Sequence, residues 1–214
     1  MPALETALSF FGIAILLALA PGPDNVFVLM QSITHGRRAG LFIVLGLCTG
    51  LVGHTLAVAV GLAAVIAASN TAFTVLKLLG AAYLLYLAWG AWRAAPTSIA
   101  NPLSTAPATP RMAALYRRGI ILNLTNPKVS LFFLAFLPQF VTLTNVTHGS
   151  PTLQILSLGA IFMLATLLVF GSIAFFSGLI AAPLQRSTRA QRWLNRSASL
   201  IFTTLALRLA LAQR

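Results

Sequence analysis

Apolar residues dominate six long stretches of this chain, near residues 4–34, 39–68, 72–93, 117–143, 153–182 and 194–212, and polar residues gather between them. About 20 residues of apolar helix cross the hydrocarbon of a bilayer, so the pattern predicts six membrane-spanning helices. Several stretches exceed that length, which predicts tilt, interfacial ends or internal breaks. Turn residues punctuate the pattern at His35-Gly36-Arg37-Arg38, at Ser69-Asn70-Thr71 and from Asn145 to Thr152. The interval from Ala94 to Arg111 is longer, rich in Pro, Ala, Ser and Thr, and reads as a flexible linker.

Composition agrees. With 58% hydrophobic and 7% charged residues over 214 positions, the chain is predicted to be an all-α integral membrane protein. Its net charge of +12 would suit a nucleic-acid binder, but most of the basic residues lie in short segments at or between the ends of apolar runs, so nucleic acid is not an expected partner. Arg37 and Arg38 fall between the first two stretches. Arg93, Arg111, Arg117 and Arg118 fall between the third and fourth, and Arg186, Arg189, Arg192 and Arg196 between the fifth and sixth. The intervals around Asn70 and His148 hold none. All three basic intervals share one side only if there are six spans. The positive-inside rule makes that side the cytoplasm and puts both termini in the periplasm of a cell inner membrane. Ala18-Leu19-Ala20 resembles a signal-peptide cleavage site, but no Lys or Arg precedes it, so the first run is expected to stay as a membrane helix. Cys48 is the single cysteine, so no internal disulfide is expected.

Two acidic residues, Glu5 and Asp24, are all the chain contains. Asp24 directly follows Pro21-Gly22-Pro23, inside the first apolar stretch. A carboxylate at membrane depth costs roughly 2.5–3.5 kcal/mol on insertion scales and marks a site by default. Backbone groups freed by the prolines cannot face lipid, so they must be buried in protein or line a cavity. A plain N-cap would also explain Asp24, yet Asn or Ser caps without the charge penalty. The chain then echoes itself: Ala20-Pro21-Gly22-Pro23-Asp24-Asn25 compares with Leu124-Thr125-Asn126-Pro127-Lys128-Val129, aligning Pro23 with Pro127 and Asp24 with Lys128. Each break opens a three-span half, about 4–93 and about 117–212, around a linker at 94–116. An odd number of spans per half inverts the second. Two inverted three-helix repeats with broken first helices, in a single transmembrane domain, place a solute site near the midplane.

Other polar residues are weighed against plainer roles. Lys128 can snorkel to the headgroups, as can Lys77 near the end of its span. His54 is a candidate cavity residue, though an interhelical donor role explains it as well. Asn123 and Asn126 read as interhelical glue or as cavity lining beside the second break. His35 and His148 fall in polar intervals and are expected to be solvated. Trp89, Trp92 and Trp193 lie near basic intervals and read as interfacial anchors. Gly46 and Gly50 form a G-x-x-x-G that brings two backbones together, within one subunit or between the subunits of a homo-oligomer.

The segments PGPDNVFVL followed by HGRRAG, and NLTNPKVSLFFLAFLPQF, together with the six-span size, resemble the LysE/RhtB family of amino-acid exporters. The likeness covers essentially the whole chain and is densest over 18–54 and 119–141. It implies efflux of an amino acid or related metabolite driven by the proton gradient. The matching motif residues are Pro21, Gly22, Pro23 and Asp24 in the first half, and Asn126, Pro127, Lys128, Pro138 and Gln139 in the second. The expected substrate and proton site is therefore Pro21, Gly22, Pro23, Asp24, Asn25, Asn123, Asn126, Pro127 and Lys128, with His54 and Gln139 as further cavity lining.

The chemistry of these residues suits a small zwitterion. Asp24 can accept an ammonium, while Lys128 and a restarting half-helix can hold a carboxylate. No G-x-x-x-x-G-K-[ST] motif is present, so no ATP-driven mechanism and no cofactor is expected. A channel or divalent-cation exporter is the alternative, but one deep acid, one His and one Cys fall short of a metal site. An enzyme would need a nucleophile–base set or paired carboxylates, and neither is evident.

Overall fold

The computed structural model describes residues 2–68, 70–94, 110–142, 150–179 and 187–211. The greater part of the linker and the interval around His148 lie outside them. The described chain is helical and contains no strand. Its helices are α1 (Leu4–Leu19), α2 (Pro23–His35), α3 (Arg37–Ala68), α4 (Asn70–Arg93), α5 (Met112–Leu124), α6 (Pro127–Leu131), α7 (Pro151–Phe175) and α8 (Thr188–Leu211). A helix therefore occupies each of the six apolar stretches, and the first and fourth stretches each hold two helices.

Sequence explains where helices start and stop. Pro23, Pro127 and Pro151 each stand in a first turn, where the missing N–H costs nothing. Ser150 caps α7 by accepting from the Leu153 N–H. Between α2 and α3 the predicted four-residue turn shrinks to Gly36, whose φ of 86° is open to glycine alone at little cost. Asn70 and Thr71, expected in a turn, are helical. Beyond α6 the chain loosens into a π-helical turn, Phe132–Phe136, and a 3-10 turn, Leu137–Phe140. Pro138 lacks the N–H that a continuing α-helix would need. Gln154 of α7 closes the end of this segment, accepting from Thr142 N at 2.9 Å and donating to Thr142 O at 3.0 Å.

Arg37–Gly61 and Pro151–Phe175 are each long and apolar enough to cross a membrane. The α1–α2 pair, bent by 64°, and the pair formed by α5 with Pro127–Phe140, bent by 49°, raise the number to four if each is one broken span. α3 and α7 form the centre. α3 packs on α5, α7 packs on α1, the two central helices pack on each other, and α4 packs on α8. An aromatic cluster of Phe10, Phe132, Phe133, Phe136, Phe140 and Phe162 fills the space between α1, α7 and the loosened segment, with ring centroids 4.9–6.4 Å apart. Four arginines lie over rings: Arg37 over Phe175, Arg93 over Trp89, Arg118 over Phe27 and Arg196 over Trp92.

The G-x-x-x-G contact is internal. A Cβ on Gly46 would lie 2.1 Å from Tyr116 O, and one on Gly119 would lie 2.4 Å from Ile43 O, so α3 and α5 touch backbone to backbone. A Cβ on Gly50 would meet the Asn123 side chain at 2.7 Å. Gly46→Ala must push the two helices apart. Overpacking of this kind costs about 1–3 kcal/mol, so the thermal midpoint of the purified protein should fall clearly below wild type. An unchanged midpoint would mean the contact is not held this closely.

Candidate functional site

The site begins with carbonyls that lost their donors. In a continuous helix Leu17 O would accept from residue 21 and Leu19 O from residue 23, and both are prolines. Side chains reach three carbonyls at this break, Leu17 O among them. Lys128 Nζ donates to Leu17 O at 3.3 Å and to Ala20 O at 3.2 Å. Asn25 Nδ2 donates to Ala18 O at 2.8 Å. The lysine is buried, not snorkelled, and its ammonium covers the negative end of α1. Gly22 makes room for it, since a Cβ there would stand 3.3 Å from Nζ.

The second break answers the first. Asn126 caps α6, its Oδ1 accepting from Lys128 N at 3.0 Å, while its Nδ2 donates to Asp24 Oδ2 at 2.5 Å. Asp24 itself is no cap. Gly22 holds the N-cap position of α2 with no side-chain cap bond, and Asp24 sits in the first turn, where the helix dipole favours its charge. Asp24 and Lys128 attract each other across the breaks, yet the lysine's hydrogen bonds go to backbone carbonyls and not to the carboxylate. Lys128 thus serves the carbonyls of the first break, and Asp24 holds the amide of the residue that caps the second.

Some acceptors stay open. Asp24 Oδ1, Asn25 Oδ1 and Asn123 Oδ1 are buried without a hydrogen-bond partner. Asp24, Asn123 and Lys128 also line a cavity whose remaining wall comes from Leu17, Ala18, Leu47, Val129, Phe162, Thr166 and Phe170. The centre of a water-sized sphere has about 10 Å³ to move in there. That is room for one water or one ammonium group, and too little for a whole amino acid.

Sequence reasoning named Asp24, Asn123 and Lys128, which the fold brings together at this cavity, and Asn25, Asn126 and the prolines beside it. His54 and Gln139 do not line it. His54 Nε2 lies 3.3 Å from Asn123 O with its ring against Phe133, and Gln139 Nε2 donates to Ala135 O one turn back. Leu47, Phe162, Thr166 and Phe170 were not singled out. Thr166 carried the one available signal, a hydroxyl deep in the α7 run. Among the described residues no three His, Cys, Asp or Glu side chains gather as a metal site would need.

A carboxylate and an ammonium beside a small cavity between two broken helices, in a bundle with helices long and apolar enough to cross a membrane, is an arrangement known from membrane transporters. The chain belongs to the family described as LysE type translocator, whose model matches residues 15–213. It is 34% identical over 198 residues to the homoserine/homoserine lactone efflux protein of Salmonella typhimurium, covering 92% of each chain. It is 34% identical over 167 residues to the leucine efflux protein of Salmonella choleraesuis, covering 78% of this chain and 74% of that one. An uncharacterized membrane protein of Vibrio cholerae is 37% identical over 142 residues, or 64% of this chain and 66% of the relative. No solved structure matches this chain.

Proposed function

We propose that this protein exports small neutral amino acids or similar zwitterions across the cell inner membrane, in exchange for protons. The observation that carries the reading is the pair of unpartnered acceptors, Asp24 Oδ1 and Asn123 Oδ1, on residues that line one buried cavity. Buried acceptors left open are costly, and an ammonium with its three N–H donors is the complementary group. Lys128 has two of its three donors on backbone carbonyls and keeps the third for a substrate carboxylate. Relatives named for homoserine and leucine efflux support this substrate class.

In this reading the chain crosses the membrane six times, with α4 and α8 as the third and sixth spans and the basic intervals cytoplasmic. Two inverted halves are supported by packing: α5 sits on α3 as α1 sits on α7, and each half opens with a helix broken at a proline. The present cavity is too small for an amino acid, so loading requires the broken helices to part from α7. Vesicles loaded with homoserine or leucine test the function. Efflux should follow an imposed proton gradient and stop when an uncoupler collapses it. Efflux indifferent to the uncoupler would point to a channel, and no efflux of either solute would sink the reading.

A further inference from the structure

One cavity residue is unaccounted for by the breaks. Thr166 stands on α7 one turn from Phe162 and one turn from Phe170, so the three share the face that lines the cavity. Its side chain is 3% exposed, as deeply buried as Ser32 and Thr55. Those two hydroxyls donate to the carbonyls four residues back, Val28 O at 2.6 Å and Leu51 O at 2.7 Å. On α7 itself, Ser157 and Ser172 do the same. Thr166 makes no hydrogen bond among the described residues, although the carbonyl of Phe162 is the usual acceptor for a helical threonine. A threonine this deeply buried, set in a cavity wall between two phenylalanines and without a protein partner for its hydroxyl, has a reason when a ligand supplies that partner.

We infer that Thr166 reads the side chain of the transported amino acid and favours solutes whose side chain ends in a hydroxyl or another hydrogen-bonding oxygen. The inference rests on the proposed function and adds to it the group that selects among amino acids. Asp24 and Asn123 take the ammonium at the breaks, so the solute's side chain extends toward α7. There Phe162, Phe170 and Leu47 enclose its methylenes, and the Thr166 hydroxyl meets its end. A purely aliphatic side chain leaves that hydroxyl unpaired, which is how a buried polar group rejects an isosteric apolar solute.

Homoserine and norvaline test this directly, since they differ only by a hydroxyl in place of a methyl. Binding of each is measured by calorimetry on the full chain in lipid nanodiscs. Wild type should bind homoserine more tightly than norvaline. Thr166→Val, equal in size, should lower that preference by about tenfold, the worth of one net hydrogen bond, chiefly through weaker homoserine binding. Thr166→Ser should keep the preference, and Thr166→Ala should lose it, which covers the case of a valine variant that does not fold. A wild-type ratio in folded Thr166→Val or Thr166→Ala overturns the inference, and Thr166 then does no more than hold a water. Loss of preference in Thr166→Ser overturns it too. If folded wild type binds neither amino acid, the exporter reading fails and this inference fails with it; if both bind and only the ratio stays fixed, the exporter reading stands.

Discussion

Asp24→Asn is expected to leave the protein in the membrane and to abolish export against a concentration gradient. The substitution keeps the shape of the side chain and its place in the first turn of α2, and it removes only the charge and the exchangeable proton. A hydrogen bond to a charged group contributes about 1.5–3 kcal/mol, so substrate binding should weaken by roughly ten- to a hundredfold. Coupling should suffer more, because an amide cannot alternate between a proton and an ammonium. Counterflow of labelled for unlabelled substrate, which needs no proton, should survive at a reduced rate. If Asp24→Asn still builds up substrate outside, with the uncoupler sensitivity of wild type, then Asp24 is not where the proton is exchanged. The N-cap role that would otherwise remain to it is not available, since Gly22 occupies that position without a side-chain bond.

Lys128→Met should have the largest effect on stability. It withdraws the donor from Leu17 O and Ala20 O and leaves the Asp24 carboxylate without its neighbouring cation. Removing one member of a buried charge pair can cost about 3–5 kcal/mol, and here the full cost falls on Lys128→Met, since in Asp24→Asn the ammonium keeps both carbonyls. Little folded protein should be recovered from membranes. Adding Asp24→Asn to Lys128→Met should restore part of the yield and none of the transport. Should the double variant be no more stable than Lys128→Met alone, the lysine serves the carbonyls only and its charge is not balanced by Asp24.

These residues were legible in the sequence for one reason: charge and proline are rare in apolar stretches and conspicuous there. Asp24 beside Pro23 and Lys128 beside Pro127 announced both breaks, and the basic intervals divided the chain into stretches that each contain helix. Leu47, Phe162 and Phe170 gave no such sign. A soluble helix reveals its inner face by the period of its apolar residues. A membrane helix is apolar toward lipid and toward its neighbours alike, so the side that faces a cavity is not written in hydrophobicity. The direction of the Lys128 ammonium was equally hidden. Snorkelling to the headgroups and donating to a broken helix are both open to a long lysine inside a span, and only packing decides between them. Small residues told more, for Gly46 and Gly50 announced a close helix contact, but whether in one subunit or two needed coordinates.

The crossed hydrogen bonds at the breaks also bear on how the protein is made. A chain is synthesised from its N-terminus, so α1 and α2 exist well before residue 128 does. Until then Leu17 O and Ala20 O lack the donor they have in the finished protein, and the Asp24 carboxylate has neither Asn126 nor a nearby cation. Until the second break is made, the first part of the chain thus carries open acceptors that only water or another protein can satisfy. Its final form arrives only with the second proline break, and a nascent chain cut short in the linker would be a natural target for membrane quality control.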